Sequence, residues 1–173
     1  MGILKKIFYL LPRLILFSIF GVYAVFALLS YFDYIERFLF PLHFIQGEVQ
    51  KLDDNILLGP YPHFDELKKL QKETGINTVI SLLNDSLPQE KALLNRERKI
   101  AERLGIDLYS YPMTYFNLNG THNRRNAEEI SALVRKINGS KIYIHCYLGR
   151  HRVNFVRDNL IKAGLGREVS AHN

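Results

Sequence analysis

Residues 141–152 read Lys-Ile-Tyr-Ile-His-Cys-Tyr-Leu-Gly-Arg-His-Arg, and the layout of the rest of the chain follows from this stretch. Ile142, Tyr143 and Ile144 make the short β-branched and aromatic run of a buried strand. Asn138-Gly139-Ser140 terminates what precedes it, and Val153 to Ala163, closed by Gly164, has the length and stop signal of a helix. A strand that turns tightly into a helix leaves backbone N–H groups converging on the turn, and the helix start adds partial positive charge. Gly149 permits such a turn. The product is a cradle for a phosphate-like anion, with Cys146 at its floor and Arg152 six residues further on.

The residue types fit that geometry. The converging amides, the helix start, Arg152 and the neighbouring His145 and His151 all favour the thiolate of Cys146, the form that acts as a nucleophile. Cys146 is then expected to attack phosphorus in line, while Arg152 holds two phosphate oxygens bidentately. Tyr147, Leu148, Gly149, Arg150 and His151 supply the phosphate-binding loop, and His145 supports it. In the competing reading, Cys146 is a small buried apolar residue and Arg152 a surface helix residue.

Outward from the loop, short apolar runs alternate with charged helical stretches, the pattern of an α/β layer fold. Strands are expected at Asn55–Leu58, Ile76–Leu83 and Ile106–Tyr111. Helices are expected from an Asp65 cap to Thr74, from Pro88 to Leu104, and from Asn123 to Ile137, the last with Ile130, Leu133, Val134 and Ile137 on one stripe. One Cys in 173 residues excludes an intramolecular disulfide and a Cys-rich zinc site.

The N-terminal part is different. Leu14 to Phe32 is nineteen residues without a charge, about the length needed to cross a bilayer, and Tyr31, Phe32 and Tyr34 sit where aromatic rings favour the headgroup zone. The expected organisation is an anchor over 1–34 with its span at 14–32, a membrane-proximal connector over 35–51 broken by Pro41, and a catalytic domain over 52–173. Lys5, Lys6 and Arg13 ahead of the span favour a cytoplasmic N-terminus. All 17 acidic residues follow residue 32, so the net charge of +6 owes much to those three cations, and what remains is only mildly basic. Nucleic acid is not expected as a partner.

The stretch His-Cys-Tyr-Leu-Gly-Arg-His-Arg resembles the HCxxGxxR signature of the cysteine-dependent protein tyrosine phosphatases, in their dual-specificity branch. The resemblance extends to Asn-Ile-Leu-Leu-Gly at 55–59, Gly-Ile-Asn-Thr-Val-Ile-Ser-Leu at 75–82, Gly-Ile at 105–106 and Leu-Ile-Lys-Ala-Gly-Leu at 160–165. It implies that family's central sheet flanked by helices, Cys146 as nucleophile and Arg152 as clamp. It also implies a phosphorylated protein or a phospholipid or inositol phosphate as substrate, and no metal or organic cofactor. Arg150-His151 ahead of the Arg is similar to the plant and fungal atypical members, some of which act on inositol pyrophosphates.

Three departures accompany the resemblance. Val153 stands where the family carries Ser or Thr. Residues 111–122, YPMTYFNLNGTH, hold no carboxylate where the family's general acid usually lies, so the acid is unassigned and His122 is the one titratable substitute there. Asp158 and Asn159 occupy usually apolar helix positions, and a chain ending at Asn173 reads as one lacking the family's closing helix. The expected function is a membrane-anchored phosphatase working through a cysteinyl phosphate, with a catalytically impaired phosphate-binding module or membrane scaffold as the alternative.

Overall fold

The structure, a computed structural model, describes residues 13–24 and 47–166. The chain divides into two units, Met1–Pro41 and Leu42–Asn173. In the first, residues 13–24 form a helix whose apolar side chains are exposed on every side, from Leu14 and Ile15 through Phe17 and Phe20 to Tyr23. Among the described residues no helix is long and apolar enough to cross a membrane. The rest of the expected span, 25–32, and the connector from 35 to 46 lie outside the described residues.

In the second unit a five-stranded sheet runs in the order β1-β2-β5-β3-β4, with β1 (Gln50–Asp53), β2 (Ile56–Pro60), β3 (Thr78–Ser81), β4 (Asp107–Ser110) and β5 (Ile142–Cys146). The β1–β2 pair is antiparallel and every other pair is parallel. β5 is central and buried along its whole length, which is why its sequence reads as a continuous apolar run rather than an alternation. The helices are α1 (Phe64–Thr74), α2 (Pro88–Leu104), α3 (Thr121–Lys136) and α4 (His151–Lys162).

Alternation along β5 divides the core between the two faces of the sheet. Ile142, Ile144 and Cys146 pack with Ala127, Ile130 and Val134 of α3 and with Val153, Val156 and Leu160 of α4. Tyr143 packs on the other face with Leu67 of α1 and with Ile100 and Ala101 of α2. Ile130 and Val134 of the expected α3 stripe are buried, and Leu133 and Ile137 pack partly buried against the same cluster.

The observed elements differ from the expected ones at identifiable places. Strand β1 has no counterpart in the expected layout: Gln50-Lys51-Leu52-Asp53 is an edge strand with only Leu52 buried, so it lacks an apolar run. Helix α1 is preceded by His63 rather than capped by Asp65, and the His63 N–H donates to Glu66 Oε2 (2.8 Å). Helix α4 starts at His151, two residues before the expected Val153, and this places Arg152 in its first turn. The Pro88 start and the left-handed Gly105 close of α2 stand as expected (φ 63°).

Candidate active site

The four parallel strands deliver their C-terminal ends, and the turns that follow them, to one end of the sheet, where open α/β sheets bind ligands. Cys146 is the last residue of β5, 2% exposed and a free thiol. The loop 147–150 leads to α4, whose first turn is tied by Asn154 N–H donating to the carbonyl of Arg150 (2.8 Å).

Neighbouring segments hold this loop from outside. The Tyr147 carbonyl accepts from Tyr61 N–H (3.3 Å) and the Leu148 carbonyl from Gly47 N–H (2.8 Å). In a planar trans peptide the following N–H points opposite to the carbonyl, so the amides of Leu148 and Gly149 are aimed away from these partners. Gly149 has φ 66°, and a Cβ on it would lie 2.3 Å from Pro60 N, so both conformation and space demand glycine.

Arg152 is 5% exposed and its guanidinium is almost wholly spoken for along one edge. Nη1 donates to Glu90 Oε2 (2.7 Å), to the Leu82 carbonyl (3.0 Å) and to the Met113 carbonyl (3.3 Å), while Nη2 donates to Glu90 Oε1 (2.7 Å). An arginine has five N–H donors in a planar fork. With the Nη1–Nη2 edge on Glu90, the Nε–H and the second Nη2–H form the other edge, the pair that matches two phosphate oxygens. Burial opposes the charge of Arg152. The hydrogen bonds and the negative charge of Glu90, with Cys146 adding a smaller share, outweigh that and raise its pKa above the ordinary guanidinium value.

Behind the cradle lies a second buried pair. His145 and Glu97 of α2 are in contact through Nε2 and Oε1, with side chains 0% and 1% exposed. The His145 ring stacks on Tyr143 (5.7 Å between centroids) and meets Tyr61 edge-on (5.8 Å). Tyr143 in turn donates its hydroxyl to the Pro60 carbonyl (2.6 Å). Its pKa is pushed well above the usual phenol value by burial first, then by the negative charges of Glu66, Cys146 and Glu97.

The Tyr111–Gly120 loop, between β4 and α3, is tied to α3 by Asn123, which is fully buried. Its amide nitrogen donates to the carbonyls of Thr114 (2.9 Å) and Asn117 (3.0 Å), and its oxygen accepts from Thr114 N–H (3.0 Å). His122 is occupied too: its Nε2 lies 2.9 Å from the Pro112 carbonyl. His151 is exposed and meets the ring of Tyr115 edge-on (5.3 Å), and Arg150 is also exposed. Val153 is 2% exposed within the core cluster around Cys146. Asp158 faces solvent beside Arg157, and Asn159 is absorbed by a hydrogen bond to the Phe155 carbonyl (2.7 Å), so neither residue disturbs α4. Among the described residues no cluster of His, Cys, Asp and Glu is built to hold a metal ion.

Known folds can now be set beside this geometry. Neither a family model nor a curated protein matches the sequence. Solved structures do match. A Shewanella putrefaciens protein assigned provisionally as a phosphatase (DUF442) aligns at 22% identity over 73% of this chain and 78% of its own, with a TM-score of 0.57. The core catalytic domain of the PP-IP phosphatase SIW14 from S. cerevisiae aligns at 19% identity over 68% of this chain and 66% of its own, with a TM-score of 0.52. The kinase associated phosphatase KAP, crystallised with its catalytic-site cysteine replaced by serine, gives 19% identity, 72% and 78% coverage and a TM-score of 0.52. The chain has the fold of the cysteine-dependent phosphatases.

In that fold the expected site residues lie together: Cys146, loop residues 147–151 and Arg152 form one strand-loop-helix unit, with His145 beneath it. Sequence reading missed Glu90 and Glu97. Their signal was present: they stand seven residues apart, two helical turns, among Leu93, Leu94, Ile100 and Ala101 on the buried stripe of α2. A carboxylate on an apolar stripe is expensive unless a buried cation meets it, which makes each such residue a pointer to a partner.

Proposed function

We propose that this protein is a membrane-anchored, cysteine-dependent phosphatase that hydrolyses phosphomonoesters through a Cys146 phosphoenzyme. The observation that carries the reading is the arrangement of Arg152. Glu90 holds one edge of its fork, and the other edge remains for phosphate at a loop that begins with the chain's only thiol.

In the first step the Cys146 thiolate attacks phosphorus, an S–P bond forms and the P–O bond to the leaving group breaks. Arg152 and the loop amides hold the equatorial oxygens as negative charge shifts during transfer. In the second step water attacks phosphorus and loses a proton to solvent, the S–P bond breaks, and inorganic phosphate and the thiolate are released. Protonation of the leaving oxygen by a positioned acid is ordinarily worth about 10²- to 10⁴-fold, and the Tyr111–Gly120 loop has no carboxylate to supply it. Aryl phosphates and pyrophosphates, whose leaving group departs readily as an anion, therefore lose least by that absence, and alkyl phosphomonoesters such as headgroup phosphates are expected to turn over more slowly. The likeness in fold to the PP-IP phosphatase SIW14 supports the pyrophosphate end of that class.

Membrane anchorage rests on the uncharged run Leu14–Phe32 and on the exposure of apolar side chains all round the 13–24 helix, which in water would be unfavourable. The substrates that suit an anchored phosphatase are a phosphorylated protein at the bilayer or the phosphate of a phospholipid headgroup. One observation favours a second reading, a phosphate-binding module with little turnover. Val153 is buried in the core, so no hydroxyl assists departure of the Cys146 thiolate from the phosphoenzyme.

Phosphate release by the full chain in reductant separates these readings. The substrates are an aryl phosphate, a phosphotyrosine peptide and phosphoinositide vesicles, with Cys146→Ser and Arg152→Ala as controls. Release abolished by both substitutions establishes the phosphatase. Phosphate binding without release above the Cys146→Ser background establishes the binding module.

A further inference from the structure

Two features at the mouth of the site are left unused by the chemistry above. The first is the tip of the Tyr111–Gly120 loop. Phe116 is 99% exposed and Tyr115 is 51% exposed, their rings meeting edge-on at 5.6 Å. Single exposed apolar side chains are ordinary on a protein surface. This pair differs because its loop is held by the buried Asn123 and because Tyr115 also contacts His151, the first residue of α4. An aromatic tip is thus presented by a fixed loop, in contact with the phosphate loop itself.

The second feature is where the chain enters the domain. Gly47 donates to the carbonyl of Leu148, and a Cβ on Gly47 would sit 2.8 Å from the carbonyl oxygen of Gly149 and 3.4 Å from Arg150 Cγ. The segment that follows the uncharged run therefore reaches the domain at the phosphate loop. Residues 33–46 separate Phe32 from Gly47, a leash of at most about 50 Å even if fully extended. A leash fastened there is long enough for the mouth of the site to reach the headgroup zone. Aromatic side chains partition favourably into that zone, and the exposed Arg150 complements anionic headgroups.

We propose that Tyr115 and Phe116 dock the mouth of the site onto the surface of the bilayer that holds the chain's own N-terminal segment, so that the phosphate loop takes phosphorylated headgroups presented in that surface. The inference rests on the anchored-phosphatase reading and deepens it by naming the docking surface and the substrate class.

The test uses the full chain reconstituted in phosphatidylcholine vesicles containing a phosphoinositide. In one arm Phe116→Cys is combined with Cys146→Ser, so that the new thiol is the only one in the chain, and it is labelled with a polarity-sensitive fluorophore. The expected result is blue-shifted emission quenched by brominated lipids and shielded from aqueous iodide. A probe open to iodide and untouched by brominated lipid overturns the proposal. In the other arm Phe116→Asp is expected to leave hydrolysis of a soluble aryl phosphate unchanged. Release from the vesicle phosphoinositide should fall by about tenfold or more, the scale set by exposing a buried phenyl. Equal loss on both substrates, or loss on neither, overturns it; loss confined to a phosphotyrosine peptide overturns it and assigns the surface to a peptide. If the unsubstituted chain releases no phosphate from any substrate, the phosphatase reading falls, and the quenching arm still decides the docking surface.

Discussion

At the scale of single residues, the site depends on two carboxylates whose worth comes from the side chains they face, Arg152 for Glu90 and His145 for Glu97. Glu90 and Arg152 are both nearly buried, and removing one partner of such a pair leaves the other charge without compensation. Glu90→Gln is expected to destabilise the fold by about 3–5 kcal/mol in urea denaturation. The same variant should lower kcat/KM for an aryl phosphate by at least about tenfold, because the fork is no longer held with its other edge toward phosphate. Gly149→Ala should abolish phosphate release, since its Cβ collides with the backbone of Pro60 and its φ is left-handed, and should cost about 1–3 kcal/mol or more in a thermal melt. The reacting residues were legible because they are contiguous and of distinctive types. Glu90 and Glu97 were not read because an acidic residue on a helix is usually a solvated one. Only the tertiary arrangement shows that α2 turns both toward the sheet, one to Arg152 and one to His145.

At the scale of elements, those with strong periodicity or punctuation were readable: α2 between Pro88 and Gly105, α3 with its stripe, and β5 as an apolar run. What escaped was the edge strand β1, whose pairing with β2 depends on backbone hydrogen bonds rather than on its side chains. The Tyr111–Gly120 loop is the other element whose character is tertiary, because side chains outside it, Asn123 with Asn126 and His122, hold its backbone. Asn123→Ala removes three hydrogen bonds to the backbone of Thr114 and Asn117, at about 0.5–1.5 kcal/mol each. Protection of the Thr114 amide in hydrogen exchange should be lost in that variant, while protection of β5 is kept. Retained protection at Thr114 would show that Asn123 does not hold the loop.

At the scale of the whole molecule, Tyr143 links the core to pH. Its neutral form is favoured in the folded state, so its folded pKa lies above the unfolded value near 10. Above that pH the unfolded chain has released the proton and the folded chain has not. Stability present below about pH 10 is therefore lost as pH rises toward the folded value. Tyr143→Phe should flatten the decline measured by urea denaturation between neutral and strongly alkaline pH. It should also lower stability at neutral pH by about 1 kcal/mol, through the lost bond to the Pro60 carbonyl. The division into an uncharged N-terminal run and a charged α/β part was plain from composition, whereas the seating of Gly47 against the phosphate loop could be seen only in three dimensions. That contact bears on how the protein is handled. A fragment trimmed to begin after Gly47 sheds the donor to Leu148 along with the leader, so a sluggish soluble fragment would report a slackened loop as much as a lost address.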